Sequence, residues 1–206
     1  MRRLRPMIAA LRQSREGAAL VEFAIIAPTL LMLYLMAFTL ADAVSCNRKV
    51  AVTTRELTDV LSRFSTVEVS DVGNVMNAAT QIMSPYASDT NRATVRLSQV
   101  QVTDATHAKV LWTCISTGSN SLAKDTVVSL PANMVSTIMT PDANATPARA
   151  GAFFIMGEVI YNYQPAFSYR GFGALTFQDR IFLVPRSPSN ISLINTSNAS
   201  SPTCSL

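Results

Sequence analysis

The stretch that decides the fold begins at Arg15 and reads Arg15-Glu16-Gly17-Ala18-Ala19-Leu20-Val21-Glu22-Phe23-Ala24-Ile25-Ile26-Ala27-Pro28, then Thr29-Leu30-Leu31-Met32-Leu33-Tyr34-Leu35-Met36-Ala37-Phe38-Thr39-Leu40-Ala41. From Ala18 to Ala41 only Glu22, Pro28, Thr29 and Thr39 are not hydrophobic. A helix of that length spans roughly 36 Å, against a bilayer core about 30 Å thick that needs about 20 apolar residues. The run can therefore cross a membrane. It exceeds the apolar core of a cleaved secretory signal, about 7–15 residues, although Ala41-Asp42-Ala43 fits a small-x-small cleavage pattern that would release Val44 as a new N-terminus.

Charge is distributed around this run. The leader holds Arg2, Arg3, Arg5, Arg12 and Arg15 against Glu16, and this accounts for the whole net charge of +4. The remainder is neutral, which gives no electrostatic footprint for DNA or RNA. Five arginines before the run against Arg48, Lys49 and Arg55 after it favour a cytoplasmic N-terminus and an exported C-terminal part. Within the run, Pro28 removes the bond to the carbonyl of Ala24 and permits a kink. Glu22 is the costlier feature: a carboxylate in hydrocarbon is tolerated when it is paired or reaches the headgroups.

Taken together, a basic leader, Gly17, and a glutamate five residues later resemble the class III signal of type IV pilins. Val21-Glu22-Phe23-Ala24 and Pro28 are similar to the N-terminal pattern of TadE-like proteins of the tight-adherence (Tad, or Flp) pilus system. Two shorter stretches resemble the same family, Glu158-Val159-Ile160-Tyr161-Asn162-Tyr163-Gln164-Pro165 and Asp179-Arg180-Ile181-Phe182-Leu183-Val184-Pro185-Arg186. The resemblance implies a prepilin peptidase cutting between Gly17 and Ala18. Glu22 would then lie one helical turn from the new N-terminus and meet the free amine of a neighbouring subunit, with Phe23 and Pro28 in the same packing segment. It also implies the inner membrane, other pilin-like subunits and Tad assembly proteins as partners. No enzymatic role and no cofactor are expected, because the sequence holds no catalytic constellation.

The expected architecture is α+β, a long N-terminal transmembrane helix continuing into a periplasmic domain with an antiparallel sheet. Residues 1–17 form the leader, 18–41 the span, 42–186 the domain and 187–206 a polar tail. Val50, Leu57, Val60, Leu61 and Phe64 continue the helix to about Arg63. A second helix fits Asp71 to Ser84, with Ser70 as its N-cap, an inward face of Val75, Met76, Ala79, Ile82 and Met83, and Pro85 as its stop.

Strands follow at 93–102, 109–115, 152–163 and 175–184. In the first, Val95 and Leu97 are out of phase with Val100 and Val102, which predicts a bulge near Ser98–Gln99. Thr103–Thr106 is a turn, and Val110, Trp112 and Cys114 share a face. Phe153, Ile155, Val159, Tyr161 and Tyr163 share another. A short helix fits 132–139. The tail is expected to be disordered except at Cys204. Three single pairings are open to Cys46, Cys114 and Cys204; Cys114 with Cys204 is preferred because it ties down the tail.

No metal or catalytic set is evident. His107 stands alone in a turn, and Ser121-x-x-Lys124 lacks its companion motifs. Asn144, Asn190, Asn195 and Asn198 fit the glycosylation pattern but carry little weight in a bacterial chain. The alternative reading is a single-pass membrane protein with a periplasmic ligand- or protein-binding domain unrelated to pili.

Overall fold

The first element of the computed structural model is one unbroken helix, α1, Glu16–Ser62. The structure describes residues 16–86, 92–117, 122–145, 147–165, 173–186, 190–194 and 202–205. The leader arginines, Ser121, Asn195 and Asn198 lie outside them. At 47 residues α1 is about 70 Å long. Its two halves differ in environment: the half up to Ala41 touches little else, and from Ala43 onward one stripe is buried. Ala43, Cys46, Val50, Thr53, Thr54, Leu57, Thr58 and Leu61 recur at three- and four-residue spacing and face the domain.

After α1 the chain forms β1 (Thr66–Glu68), α2 (Val69–Met83), β2 (Ala93–Val102), β3 (His107–Ile115), β4 (Val127–Ser129), β5 (Phe153–Tyr163), β6 (Leu175–Leu183), β7 (Ser192–Ile194) and β8 (Thr203–Ser205). The main sheet runs β4-β3-β2-β5-β6, with β8 added to β3; its pairings are antiparallel. A separate parallel pair joins β1 to β7. A long apolar helix followed by a helix and an antiparallel sheet is the α+β arrangement expected.

Several local expectations are corrected. The N-cap of α2 is Glu68, not Ser70. The Glu68 side chain accepts from the Asp71 N–H, and the Asp71 carboxylate accepts from the Glu68 N–H at 3.3 Å, a reciprocal capping box that sets the cap two residues before Ser70. The earlier start adds Val69 to a buried face that holds Val72, Val75, Met76, Ala79 and Met83, while Ile82 is half-buried. Residues 132–139 form turns instead of a helix.

The irregularity expected near Ser98–Gln99 is present at the Gln99/Val100 step, but the extra residue lies on the neighbouring strand β3 and not on β2. Strand β2 pairs one-to-one with β5 from Ala93 to Gln101. The slip lies across the other ladder, where Gln99 faces Trp112, Val100 faces Val110, and Leu111 is the extra residue on β3. Val95 and Leu97 belong to a core under the helices, and Val100 and Val102 to a second core on the opposite face. The slip likewise separates Val110, in the second core, from Trp112 and Cys114, in the first. The second core, with Ala108, Val128, Leu130, Phe154 and Met156, lies at the end of the sheet beside the end of α1, and the segment from Leu122 to Ala152 packs on it.

The tail is not wholly without structure. Ile191 is fully buried and its carbonyl accepts the Trp112 indole N–H at 2.8 Å. Strands β7 and β8 are the tail's contribution to the two sheets.

Candidate functional site

The site predicted from the sequence is the first half of α1. Gly17 lies in its first turn, and a Cβ built there would meet nothing within 4 Å. Ala18 follows it in the helix. Glu22 is exposed on the isolated chain, as are Phe23 and the apolar residues around it. Pro28 lies inside the helix, which continues on both sides. The Thr39 hydroxyl is satisfied within the helix, donating to the Leu35 carbonyl at 2.8 Å. The helix from Ala19 contains a window of mean hydropathy 2.1, none of it buried in the protein. The structure thus presents Gly17, Glu22, Phe23 and Pro28 along one unpartnered segment, with Ala18 at its start.

This segment is tied to the domain by contacts that the charge pattern did not indicate. Asp42 is the first residue past the apolar run. Its carboxylate accepts hydroxyl hydrogen bonds from Tyr86 at 2.9 Å and Tyr163 at 2.5 Å. Burial and the Asp42 hydrogen bond push the Tyr86 phenol up to about 12, and the same causes raise Tyr163. One turn on, Cys46 is a buried free thiol raised to about 11 by burial and by Asp42. Lys49 donates to the Ile82 carbonyl at the end of α2, at 3.2 Å.

In the last two turns of the buried stripe, at Thr54 and Thr58, β5 crosses under α1 at Gly157. A Cβ at that position would stand 1.8 Å from the Thr58 hydroxyl oxygen and 3.1 Å from its Cβ. Thr53, Thr54 and Thr58 all return their hydroxyls to α1 carbonyls one turn back, so the polar side chains at this close approach are satisfied. At the far end, the Arg186 backbone N–H donates to the Ser62 carbonyl at 2.9 Å, and its guanidinium reaches Asp59 at 2.7 Å. Arg63 holds the other Asp59 oxygen. The hydrogen bonds from Arg186 and Arg63 keep the Asp59 carboxyl below its usual range. Both short C-terminal resemblances therefore contain α1 anchors: Tyr163 near the start of the buried stripe and Arg186 near its end.

A third group lies on the sheet face away from the helix. Glu158 is buried between two directly opposed arginines, Arg96 on β2 and Arg180 on β6. It accepts from Arg96, from Arg180 at 2.5 Å and from Gln178 at 2.7 Å. Burial pushes the carboxyl up, but the Arg180 hydrogen bond and charge, with the Arg96 charge, outweigh it and hold Glu158 low. Cys114 and Cys204 are a directly opposed pair joining β3 to β8 by a disulfide.

His107 opens β3 with Nδ1 3.0 Å from both carboxylate oxygens of Asp104, exposed. Among the described residues no group of His, Cys, Asp or Glu is arranged to hold a metal. Lys124 and Asn144 lie in turns, and Asn190 is exposed. Asp42, Tyr86, Asp59 and Gly157 escaped the sequence reading as site residues. Asp42 is the first charged residue after the span, which is the one signal available for it.

No curated protein and no solved structure matches the chain. A family model does: the one described as TadE-like protein matches residues 17–57, from the glycine of the leader junction to Leu57 in the buried stripe. Over that segment, which holds the exposed apolar helix, Glu22, Pro28 and the Asp42 anchor, the chain is similar to TadE-like proteins.

Proposed function

We propose that the chain is a membrane-anchored minor pilin- or pseudopilin-like component of Tad pilus assembly. The observation that carries this reading is the junction within α1. An apolar half with no protein covering it passes without a break into the helix that forms the domain's core, and the family match spans that junction. Residues 18–41 span the inner membrane, the leader stays cytoplasmic, and residues 42–186 form a periplasmic domain followed by the tail. Cleavage between Gly17 and Ala18 frees an amine one turn from Glu22, and the Glu22 carboxylate meets the amine of a neighbouring pilin-like subunit. A pair made inside lipid is strongly selective, because each charge left unpaired there is costly. Phe23 and Pro28 shape the packing of the same turn. The role is structural rather than enzymatic.

Sequencing the N-terminus of the protein from its native host tests this directly. Ala18 is expected. Met1 would indicate an anchor that keeps its leader, and Val44 a secreted protein. Glu22→Gln keeps the shape and removes the charge; it should reduce piliation while the protein remains in the membrane fraction. Unchanged piliation would remove the register role.

A further inference from the structure

The two edges of the main sheet are finished differently. On the β3 side, β4 covers His107–Lys109 and β8 covers Thr113–Ile115. Between them the Val110 N–H donates to Thr126 and its carbonyl accepts from the Asp125 N–H, at 2.9 and 2.8 Å. Two short strands and a turn thus occupy that edge along its length, and a disulfide fastens one of them. On the other side, no strand among the described residues pairs with β6 beyond β5. Strand β6 has 9 residues, about 30 Å of edge.

The ladder fixes which backbone groups face outward. Asn162 donates to Arg92, and Val102 donates to Ala152, at the two ends of the β2–β5 ladder. Even-numbered β5 residues therefore turn their backbone groups to β2, and odd-numbered ones to β6. Tyr163 opposes Leu175 and Ile155 opposes Leu183, so the odd-numbered residues of β6 bond to β5. The N–H and C=O of Thr176, Gln178, Arg180 and Phe182 point away from the sheet. The first three of these residues are exposed.

An open edge of this length is a template for strand addition. The flanking side chains specify the incoming strand. On the helix side, Leu175, Phe177, Ile181 and Leu183 are apolar around Asp179, which calls for apolar residues at alternate positions. On the far side, Arg180 lies beside the edge with its guanidinium on the Glu158 carboxylate and 39% of its side chain exposed. A carboxylate opposite Arg180 complements it.

A second copy is a poor occupant if, as proposed above, the chain is membrane-anchored. Tyr163 bonds Asp42 next to the span, and Arg186 bonds Ser62 at the far end of α1, so β6 runs away from the bilayer. Two anchored copies would both run β6 that way. A two-fold axis along the membrane normal makes the strands equivalent, and the two partners of a parallel ladder are not equivalent. We propose that the outer edge of β6, from Thr176 to Phe182, receives an extended segment of a different protein, apolar at alternate residues and acidic opposite Arg180.

The test uses the full chain in detergent micelles and a capped seven-residue peptide that alternates valine with threonine around a central glutamate. Backbone amide exchange is followed residue by residue. The amides of Thr176, Gln178, Arg180 and Phe182 should exchange rapidly in the chain alone and slow by at least about tenfold with saturating peptide; the intervening amides should not change. Replacing the glutamate of the peptide by lysine should weaken binding about two- to fivefold, the range of one cross-strand charge pair. Thr176→Pro removes an outward donor and Thr176→Lys sets a charge on the edge, and both should abolish protection without moving the unfolding midpoint.

Three results overturn the proposal: no protection at millimolar peptide, slow exchange of these amides in the peptide-free monomer, or protection that grows with chain concentration alone. The last would assign the edge to a second copy. The exchange pattern does not depend on piliation, so its failure and that of the Glu22 experiment are read separately.

Discussion

The close crossing of α1 over Gly157 gives the sharpest prediction about stability. In Gly157→Ala the new Cβ would sit 1.8 Å from the Thr58 hydroxyl oxygen and 3.4 Å from the Thr54 carbonyl oxygen. The hydroxyl would have to retreat by roughly 1.5 Å to reach ordinary contact, which breaks its bond to Thr54 in a buried site, a loss of about 1–3 kcal/mol. Turning the side chain does not remove the 3.1 Å approach to the Thr58 Cβ, so α1 must also lift from the sheet, an overpacking cost of about 1–3 kcal/mol. Replacing glycine in a strand returns about 0.5–1 kcal/mol through backbone entropy.

The net destabilisation is about 3 kcal/mol, or a fall of about 6–12 °C in the unfolding midpoint for a chain of this size. The single tryptophan, Trp112, is buried in the core under α1 and reports the transition by fluorescence in the detergent-solubilised chain. Thr58→Ala removes the atom in the worst contact. The pair Gly157→Ala with Thr58→Ala should therefore recover at least about 1 kcal/mol relative to the sum of the single changes. An unchanged midpoint in Gly157→Ala, or strictly additive effects in the pair, would refute this account of the crossing.

Further predictions concern the anchors and the tail. Cys204→Ser opens a loop of sequence separation 90, and the chain-entropy argument gives a loss of about 4.6 kcal/mol, read as a lower denaturation midpoint under non-reducing conditions. The Tyr86 phenol is raised to about 12 in the fold, so its contribution is complete below the unfolded value near 10 and is lost as pH rises through 10 toward 12; Tyr86→Phe should flatten the alkaline fall in stability over that window. Glu158→Gln leaves Arg96 buried beside a neutral group and should cost about 3 kcal/mol. Arg186→Ala, which loses an exposed ion pair but keeps its backbone bond to Ser62, should cost under about 1 kcal/mol by the same denaturation assay.

The sequence was most readable where one physical period dominates. The apolar run and the three- and four-residue spacing from Val50 to Leu61 specify α1 almost to its observed end at Ser62. The alternation in β2, β5 and β6 is also plain. The phase change at Val100 was visible, but alternation alone does not say whether a strand has slipped or its apolar face has changed sides; only the pairing with β5 distinguishes them.

The α2 cap was misplaced because Glu68 and Asp71 act reciprocally across the end of β1, a strand too short to announce itself. Residues 132–139 have helical spacing but no helical partner; Met134, Val135 and Met139 instead settle individually onto the second core. Asp42, Asp59 and Gly157 were invisible as a group, since the partners that tie them to the domain lie 44 to 127 residues away in the chain (only Arg63, four residues from Asp59, is local) or, for Gly157, depend on how closely a helix passes.

Because α1 serves both as the exposed apolar rod and as the spine of the folded body, no linker separates the two. A load applied along the rod would enter the core as shear at Gly157 and the threonine row, with the tyrosine latch on Asp42 and the arginine latch on Asp59 sharing the strain at opposite ends. Traction or twist applied to the apolar half would thus be conveyed to the sheet through the helix itself, with no flexible connection between them.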